Sequence, residues 1–528
     1  METLYQSLLK YEETKLTALY FENKKISYKT LLLNVRKMIS FFKNKGIKKG
    51  DVVTTALPNI PQMVYVFYAL DAIGVIQNIV HPLSEVSQIF KTMKETNSKV
   101  AVILGTKYKE VLKNDFLNEY KFFFVNPMFE ANILSKTVFN IAYGKVKKSS
   151  QLFSLDEYKK EVEEINIENR LTSEPSIYLH SGGTTALPKV IVLSDEAINN
   201  LSKKVEGIVE KSIEGKSMLA VLPTFHGFGL GMGIHGPLTN GASSALMMKF
   251  NVKKVIKWIN QNKVNLIIGV PLLYQKLMKE EAFKKANLKN LEFCFVGGDN
   301  VLPSLITSFN QMMEESNSDC KMLEGYGLTE TVTVAVVNTK TNFKLNSVGK
   351  TLKGIEIQIR DEDLKLLPKK QVGEVFIHGN TLMNCYLNDI ENTEKTIVTI
   401  DDKKWVRTGD LGYIDEEGFL FLKGRIKRLF KISGMNVYPS EVEKLVSQLD
   451  EVYDASLEFF SSPKICTVLF VILKKKQEIN QEKFKEEIYN YLDGKVLKYS
   501  IPSKIVFVED FPKTAVGKID HKAFKYPE

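Results

Sequence analysis

"DVVTTALPNIPQMVYVFYALDAIGVIQNIV", residues 51–80, reads as a β-branched run closed by Pro58, a helix over 62–73 and a second apolar run over 74–80. Both runs are continuously apolar rather than alternating, which marks strands covered on two faces, as in a parallel sheet flanked by helices. Upstream, residues 27–43 carry Tyr28, Leu31, Leu32, Val35, Met38, Ile39 and Phe42 at spacings of three and four, an amphipathic helix. Downstream, a helix over 86–96 and "KVAVILG" at 99–105 keep the alternation going. It returns after residue 217 in "SMLAVLP", "SSALMM", a helix over 252–262, "VNLIIGVP" and "LEFCFVGGD". The predicted fold class is α/β, with two related α/β halves in a large N-terminal domain.

The character changes over 347–423, where "IEIQIR", "GEVFIHG" and "GFLFLKG" are short strands split by Gly turns, a β-rich subdomain. The last hundred residues alternate again: a helix over 439–450, "DASLEFF", "CTVLFVIL", a helix over 482–493 and "KIVFVE". We therefore expect domains 1–424 and 425–528, the second a small, mobile α+β unit.

With 44% hydrophobic and 25% charged residues over 528 positions, the chain can bury a large core and is neither disordered nor fibrous. Its formal charge of +10 would suit a polyanion, but six Arg stand among the 72 basic residues and the Lys are scattered. That excludes a dedicated nucleic-acid surface, which draws on clustered Arg and interleaved aromatics. Three of the Arg (Arg407, Arg425, Arg428) fall in one short stretch, where a planar fork is needed that Lys does not supply. Cys294, Cys320, Cys385 and Cys466 lie far apart in sequence with no C-x-x-C pair, which implies neither a zinc site nor a disulfide framework and fits a reducing, cytoplasmic setting. The N-terminus carries Glu2, Glu12 and Glu13 and does not read as a signal peptide. Nor does the most apolar span, 64–83, read as a transmembrane segment, because it contains Asp71, Gln77, Asn78, His81 and Pro82. Oligomeric state is not legible.

Five segments carry chemistry. "IYLHSGGTTALPKVIVLS" (177–194) puts Ser181, Gly182, Gly183, Thr184 and Thr185 in a row, followed by Ala186, Leu187, Pro188 and Lys189. Hydroxyls, bare backbone N–H groups and a point charge are the parts of a phosphate cradle. The cradle lacks the G-x-x-x-x-G-K-[ST] pattern, which argues against a kinase or GTPase. "EGYGLTET" (324–331) offers Gly325 and Gly327 for close approach, the flat face of Tyr326, and Thr329 beside Glu330, a hydroxyl and a carboxylate suited to a phosphate with its Mg²⁺. "WVRTGDLGYID" (405–415) holds Asp410, a carboxylate able to accept two ribose hydroxyls. "GRIKRLFKISGMNVYPSEVE" (424–443) opens at the expected boundary, and "PKTAVGKIDHKAF" (512–524) places Lys518 after a Gly.

In this order and spacing the five segments resemble the adenylate-forming superfamily: acyl-CoA synthetases, adenylation domains and firefly luciferase. The resemblance spans nearly the whole chain. It implies that Ser181–Lys189 holds the ATP phosphates, that Tyr326 stacks on adenine beside Gly297 and Gly298, and that Thr329 meets the α-phosphate. By the same likeness Glu330 and Thr185 hold Mg²⁺, Asp410 binds ribose with Arg425, and Lys518 bridges acyl carboxylate and α-phosphate. Lys427 falls at the hinge and Ser433–Gly434 on the thiol path. The implied activity joins a small-molecule carboxylic acid, a fatty acid above all, to AMP and then to CoA. Two alternatives stay open: transfer to the phosphopantetheine of an acyl carrier protein, and a nucleotide-binding scaffold without turnover.

The acyl pocket is expected near "LPTFHGFGLGMGIHGPL" (222–238), with His226 as a gate and the five Gly leaving unfilled space beside Phe225, Phe228, Leu230 and Met232. Three positions depart from the family pattern: Ala186 and Met435 stand where Gly is usual, and Asp299–Asn300 where small residues or Pro are common.

Overall fold

The computed structural model describes residues 2–113, 119–131, 133–143, 146–147, 149–163, 167–181, 189–432, 435–461, 466–474, 479–513 and 519–527. Two large sheets form the bulk of the chain. One has the strand order Cys385–Tyr386, Val190–Ser194, Pro175–His180, Ile76–Ile79, Val52–Ala56, Val100–Leu104, Lys121–Val125, Leu152–Ser154, parallel from Pro175–His180 onward. The other runs Lys350–Thr351, Val334–Val337, Lys321–Gly327, Phe293–Val296, Leu266–Gly269, Ser217–Ala220, Ser243–Leu246, Thr17–Phe21, Lys24–Ser27, parallel through its middle.

The two α/β rounds of the sequence thus become two sheets, with one crossing. The N-terminal hairpin joins the second sheet, where Leu19 lies opposite Ser244. The helix Pro61–Ile73 is buried on every side, as its all-round apolar composition requires. Its one acidic residue, Asp71, is met by the Arg170 guanidinium, which also holds Asp195, and by the Tyr5 N–H at 2.7 Å. The triad ties the N-terminal turn to two core helices, one guanidinium being shared by two buried carboxylates, and burial with the neighbouring Asp71 pushes Asp195 up to about 8.

Residues 355–425 form an antiparallel five-stranded sheet, as the Gly-split short strands anticipate. Within it, Cys385–Tyr386 strays to pair with Val190–Ser194 of the first large sheet. The C-terminal unit packs the helices Pro439–Val446 and Gln481–Leu492 on the sheet Val452–Phe460, Cys466–Leu473, Lys504–Val508 around its own apolar cluster. Cys294 and Cys320, 26 residues apart in sequence, meet in the core with sulfurs 3.6 Å apart as free thiols, because Cys294 lies on Phe293–Val296 and Cys320 immediately precedes its neighbour Lys321–Gly327.

Candidate functional site

The site gathers on the segment that ends the strand Lys321–Gly327. Beyond it a single 3₁₀ turn, Thr329–Thr331, is closed by the Thr331 hydroxyl, which accepts from the Leu328 N–H at 3.2 Å and donates to the Leu328 carbonyl at 3.0 Å. The turn exits through Val332 at φ +64°, a costly conformation for a β-branched residue, of the kind kept at functional sites. Its consequence is visible at Gly227: a Cβ there would lie 1.6 Å from the Val332 carbonyl oxygen. At Gly327 a Cβ would lie 1.5 Å from the Thr333 oxygen, and at Gly297 2.7 Å from the Gly325 oxygen. These glycines let backbone meet backbone. Gly298, by contrast, is exposed at φ +81°.

Two carboxylates flank this segment. The Tyr326 hydroxyl donates to Asp410 Oδ2 at 2.6 Å, while Arg425 Nε forms an ion pair with Oδ1 at 3.0 Å across the pair Asp410↔Arg425. Burial pushes the Asp410 carboxyl above its ordinary range, and the Arg425 charge and Tyr326 hydrogen bond oppose the shift. Burial and the neighbouring Asp410 push the Tyr326 phenol well up, so it stays a donor. Glu330, four residues on, accepts the Tyr386 hydroxyl on Oε1 at 2.7 Å. Lys189 Nζ lies 4.4 Å over the Tyr386 ring and donates to Asn392 Oδ1 at 2.9 Å. Tyr386 and Asn392 are therefore parts of the site that sequence reading missed. Tyr386 sits on a two-residue strand with no periodic signal, and its pairing with Val190–Ser194, with the Met383 N–H donating to the Glu330 carbonyl at 2.8 Å, brings it to Glu330.

The stem of the phosphate-type loop is fixed at both ends. The Ser181 N–H donates to the Lys189 carbonyl and the Lys189 N–H to Ser181 Oγ, each at 2.9 Å. Just before it, His180 Nε2 is 2.8 Å from Asn78 Oδ1, and burial pushes the imidazole down to about 4, which keeps it neutral. Gly182, Gly183, Thr184, Thr185, Ala186, Leu187, Pro188, Ser433, Gly434 and Lys518 lie outside the described residues. The residues bracketing Lys518 are in place, with Lys513 bridged to Ile519 and His521 Nδ1 at 2.8 Å from Glu458 Oε1.

The expectation of open space at residues 227–236 is corrected. Cβ atoms at Gly229, Gly231 and Gly236 would lie 2.1, 2.7 and 2.8 Å from Pro223 O, Leu201 Cδ2 and Gly231 O, so these glycines serve close packing. His226 is partly exposed, its ring 4.4 Å from Phe225, whose ring is 4.7 Å from His81. The core histidine of this segment is instead His235, between the Tyr68 hydroxyl at 3.0 Å and Asn199 Oδ1 at 2.8 Å, pushed down to about 3 by burial. Glu324, which opens the motif, is pushed up to about 7 by burial, with Lys444 opposing.

Residues around Lys427 are tied to opposite sides. Arg425 holds Asp410, whereas Arg428 Nη2 donates to Glu443 Oε1 at 2.7 Å and to the Leu457 carbonyl at 3.1 Å. Lys423 also reaches Glu441 at 3.0 Å.

Residues 10–387 match the family model described as AMP-binding enzyme, and residues 460–518 that of the AMP-binding enzyme C-terminal domain. The chain belongs to the AMP-binding enzyme family. Among similar members, 4-coumarate–CoA ligase 3 of Arabidopsis thaliana is 28% identical over 514 residues, covering 95% of this chain and 86% of that protein. The long-chain-fatty-acid–CoA ligase of Bacillus subtilis (strain 168) is 28% identical over 525 residues, covering 95% and 90%. In fold, this AMP-binding enzyme resembles a benzoate CoA ligase from Burkholderia xenovorans LB400, with TM-score 0.83 at 20% identity over 98% of this chain and 99% of that one. It also resembles the anthranilate CoA ligase AuaEII in complex with anthranoyl-AMP, with TM-score 0.85 at 19% identity over 98% and 96%.

Proposed function

We propose that this AMP-binding enzyme is an acid–thiol ligase that joins a carboxylic acid to AMP with release of pyrophosphate and then passes the acyl group to CoA. The observation that carries the reading is the pair of tyrosine-held carboxylates, Asp410 and Glu330, at the two ends of one short segment, with Lys189 over the second tyrosine. Similarity to 4-coumarate and long-chain-fatty-acid CoA ligases supports CoA as acceptor and an acid with an apolar body. A fatty acid is the first reading and an aryl acid the second.

The roles follow from charge. The acid is already ionised at neutral pH, so no general base is needed, and the barrier is the approach of one anion to another. Lys189 and the loop 181–189 receive the phosphates, and Lys518 draws the acyl carboxylate toward the α-phosphorus. Asp410 accepts the ribose hydroxyls on lone pairs its two partners leave over, and Tyr326 presents its ring to adenine. Thr329 donates to the α-phosphate.

Among the described residues no three His, Cys, Asp or Glu gather as a metal cage, and Glu330 offers one carboxylate beside the phosphate loop. That donor set fits Mg²⁺, which is held mostly by substrate phosphates and water. Bound there with help from Thr185, the ion would neutralise charge on the phosphates.

In the second half-reaction the thiol gives up its proton to solvent, its sulfur bonds to the acyl carbon, and AMP leaves with the electron pair of the broken anhydride bond. We assign this step to a turn of the unit 425–528 about Lys427, which exchanges Lys518 for the Ser433–Gly434 face. The opposed tethers of Arg425 and Arg428 support Lys427 as the pivot.

ATP–pyrophosphate exchange with aliphatic, aryl and amino acids, followed by addition of CoA, tests the reading. Acid-dependent exchange and an acyl-CoA product are expected. Exchange that yields no product with free CoA overturns the acceptor, and no exchange with any acid overturns the enzyme reading.

A further inference from the structure

One helix of the first half turns an apolar face outward. In Ile133–Tyr143 the side chains of Leu134, Val138 and Ile141 are 71%, 56% and 79% exposed. Spaced by four and three, they share one stripe of about 60° on the helix. The opposite side anchors the helix: Asn126 Nδ2 donates to Asn140 Oδ1 at 3.0 Å, and the Phe139 ring lies against Gly105. Exposure of the stripe is thus a property of a docked helix.

Neighbouring connections extend the patch. Leu83 is 73% exposed before the helix Val86–Glu95, and Leu112 is 45% exposed after the short helix Tyr108–Val111. The Val86 N–H donates to Glu110 Oε1 at 2.9 Å and the Lys147 N–H to the Tyr108 hydroxyl at 3.0 Å, so the three connections are laced together. They follow Ile76–Ile79, Val100–Leu104 and Lys121–Val125, members of one parallel sheet, and so emerge at one edge of it. The described basic residues in these connections are Lys91, Lys94, Lys99, Lys107, Lys109, Lys113, Lys136 and Lys147. The described acidic ones are Glu85, Glu95, Glu110, Glu119 and Glu130, of which Glu95, Glu119 and Glu110 pair with Lys91, Lys99 and Lys107.

We propose that this edge docks on an anionic phospholipid bilayer, with Leu134, Val138 and Ile141 entering the boundary between headgroups and acyl chains and the lysines meeting the phosphates. Aliphatic tips with the exposed Lys109 and Lys113 in the neighbouring connection suit a lipid surface, where long basic side chains reach anionic headgroups from an embedded apolar face. They suit a protein partner poorly, because interface cores are depleted in Lys and enriched in aromatics and Arg, and none of the six Arg is here. No helix among the described residues is long and apolar enough to cross a membrane, so the contact is one of lying on the surface.

The strand Pro175–His180 runs parallel in the same sheet, so Ser181 stands at this edge, with Lys189 hydrogen-bonded to it. Four strand spacings of about 4.8 Å separate it from Lys121–Val125, which sets the loop stem roughly 20 Å along the sheet from the bilayer contact. Docking itself does not depend on the ligase reading.

Co-sedimentation of the full chain with vesicles of phosphatidylcholine alone, or with about a third phosphatidylglycerol, tests the proposal. Binding to the anionic vesicles is expected, at least about tenfold tighter than to the neutral ones and weakened by salt. The triple variant Leu134→Gln, Val138→Gln, Ile141→Gln should lose about tenfold while melting at the wild-type temperature. Lys109→Glu with Lys113→Glu should erase the anionic preference without touching the apolar stripe. Absence of binding to either vesicle overturns the proposal, as does undiminished binding by the triple variant. A concentration-dependent dimer that the triple variant abolishes, in a chain that ignores vesicles, also overturns it and makes the face a contact between copies.

Discussion

Asp410 and Glu330 are both acidic and both take a tyrosine hydroxyl, yet their surroundings differ. Asp410 is buried and gripped on both oxygens, by Tyr326 and by Arg425 across a strand pair. Glu330 rides on a single 3₁₀ turn and is held on Oε1 by Tyr386, which comes from another sheet. A carboxylate fixed on both sides presents set lone pairs and suits recognition. One tethered on a single oxygen keeps the other for a charge that arrives with the substrate, and suits the chemical step.

The sharpest test is Glu330→Gln. It should lower acid-dependent pyrophosphate-exchange turnover by about 100-fold or more with little change in ATP affinity, and raise the Mg²⁺ needed for half-activity. Equal losses in affinity and turnover would put Glu330 in the same class as Asp410.

Asp410→Asn comes next, with a rise of about 10- to 30-fold in KM for ATP and turnover within a few-fold, since a charged acceptor for hydroxyls is replaced by a neutral one. The pH response sharpens it. Burial raises the Asp410 carboxyl, so acidification protonates it at a higher pH than an exposed aspartate. KM for ATP should therefore climb as pH falls below neutral, and the Asn variant should flatten that limb.

Tyr386→Phe removes the hydroxyl that donates to the Glu330 carboxylate and leaves the ring under Lys189. Turnover should fall about five- to tenfold with KM for ATP unchanged, read from exchange kinetics at saturating ATP. Tyr326→Phe should do least: about a two- to threefold rise in KM and about 1 kcal/mol of stability, measured by urea unfolding, because Arg425 still orients Asp410.

Much of this was legible in the sequence. Continuous apolar runs marked the parallel strands of both sheets, and the Gly-split strands marked residues 355–425. Asp410, Tyr326 and Glu330 stand out as candidates because their types suit phosphate and ribose chemistry, while Arg425 enters as the ribose partner through the resemblance to the adenylate-forming superfamily. Tyr386 could not, since its role comes from a strand pairing between segments almost 200 residues apart. The Gly-rich segment 227–236 misled for a related reason. A glycine is silent about whether the room it leaves is empty or taken by another backbone, and Val332 at φ +64° takes it at Gly227. Of the two histidines in that region, composition could not tell that His235, rather than His226, is the one sealed in the core.

The hairpin Thr17–Ser27 has a consequence for biosynthesis. Its parallel neighbour is Ser243–Leu246, more than 200 residues downstream. At about 5–20 residues per second of translation, the nascent chain waits roughly ten to fifty seconds before that neighbour exists. During the wait Thr17–Phe21 keeps an unpaired rim of backbone groups, and its outer partner ends in Lys24–Lys25, charges of the kind that discourage a stray strand from joining. A ribosome that stalls before Ser243 would hold a chain whose first sheet lacks only its edge strand Cys385–Tyr386 and whose first hairpin still lacks its place.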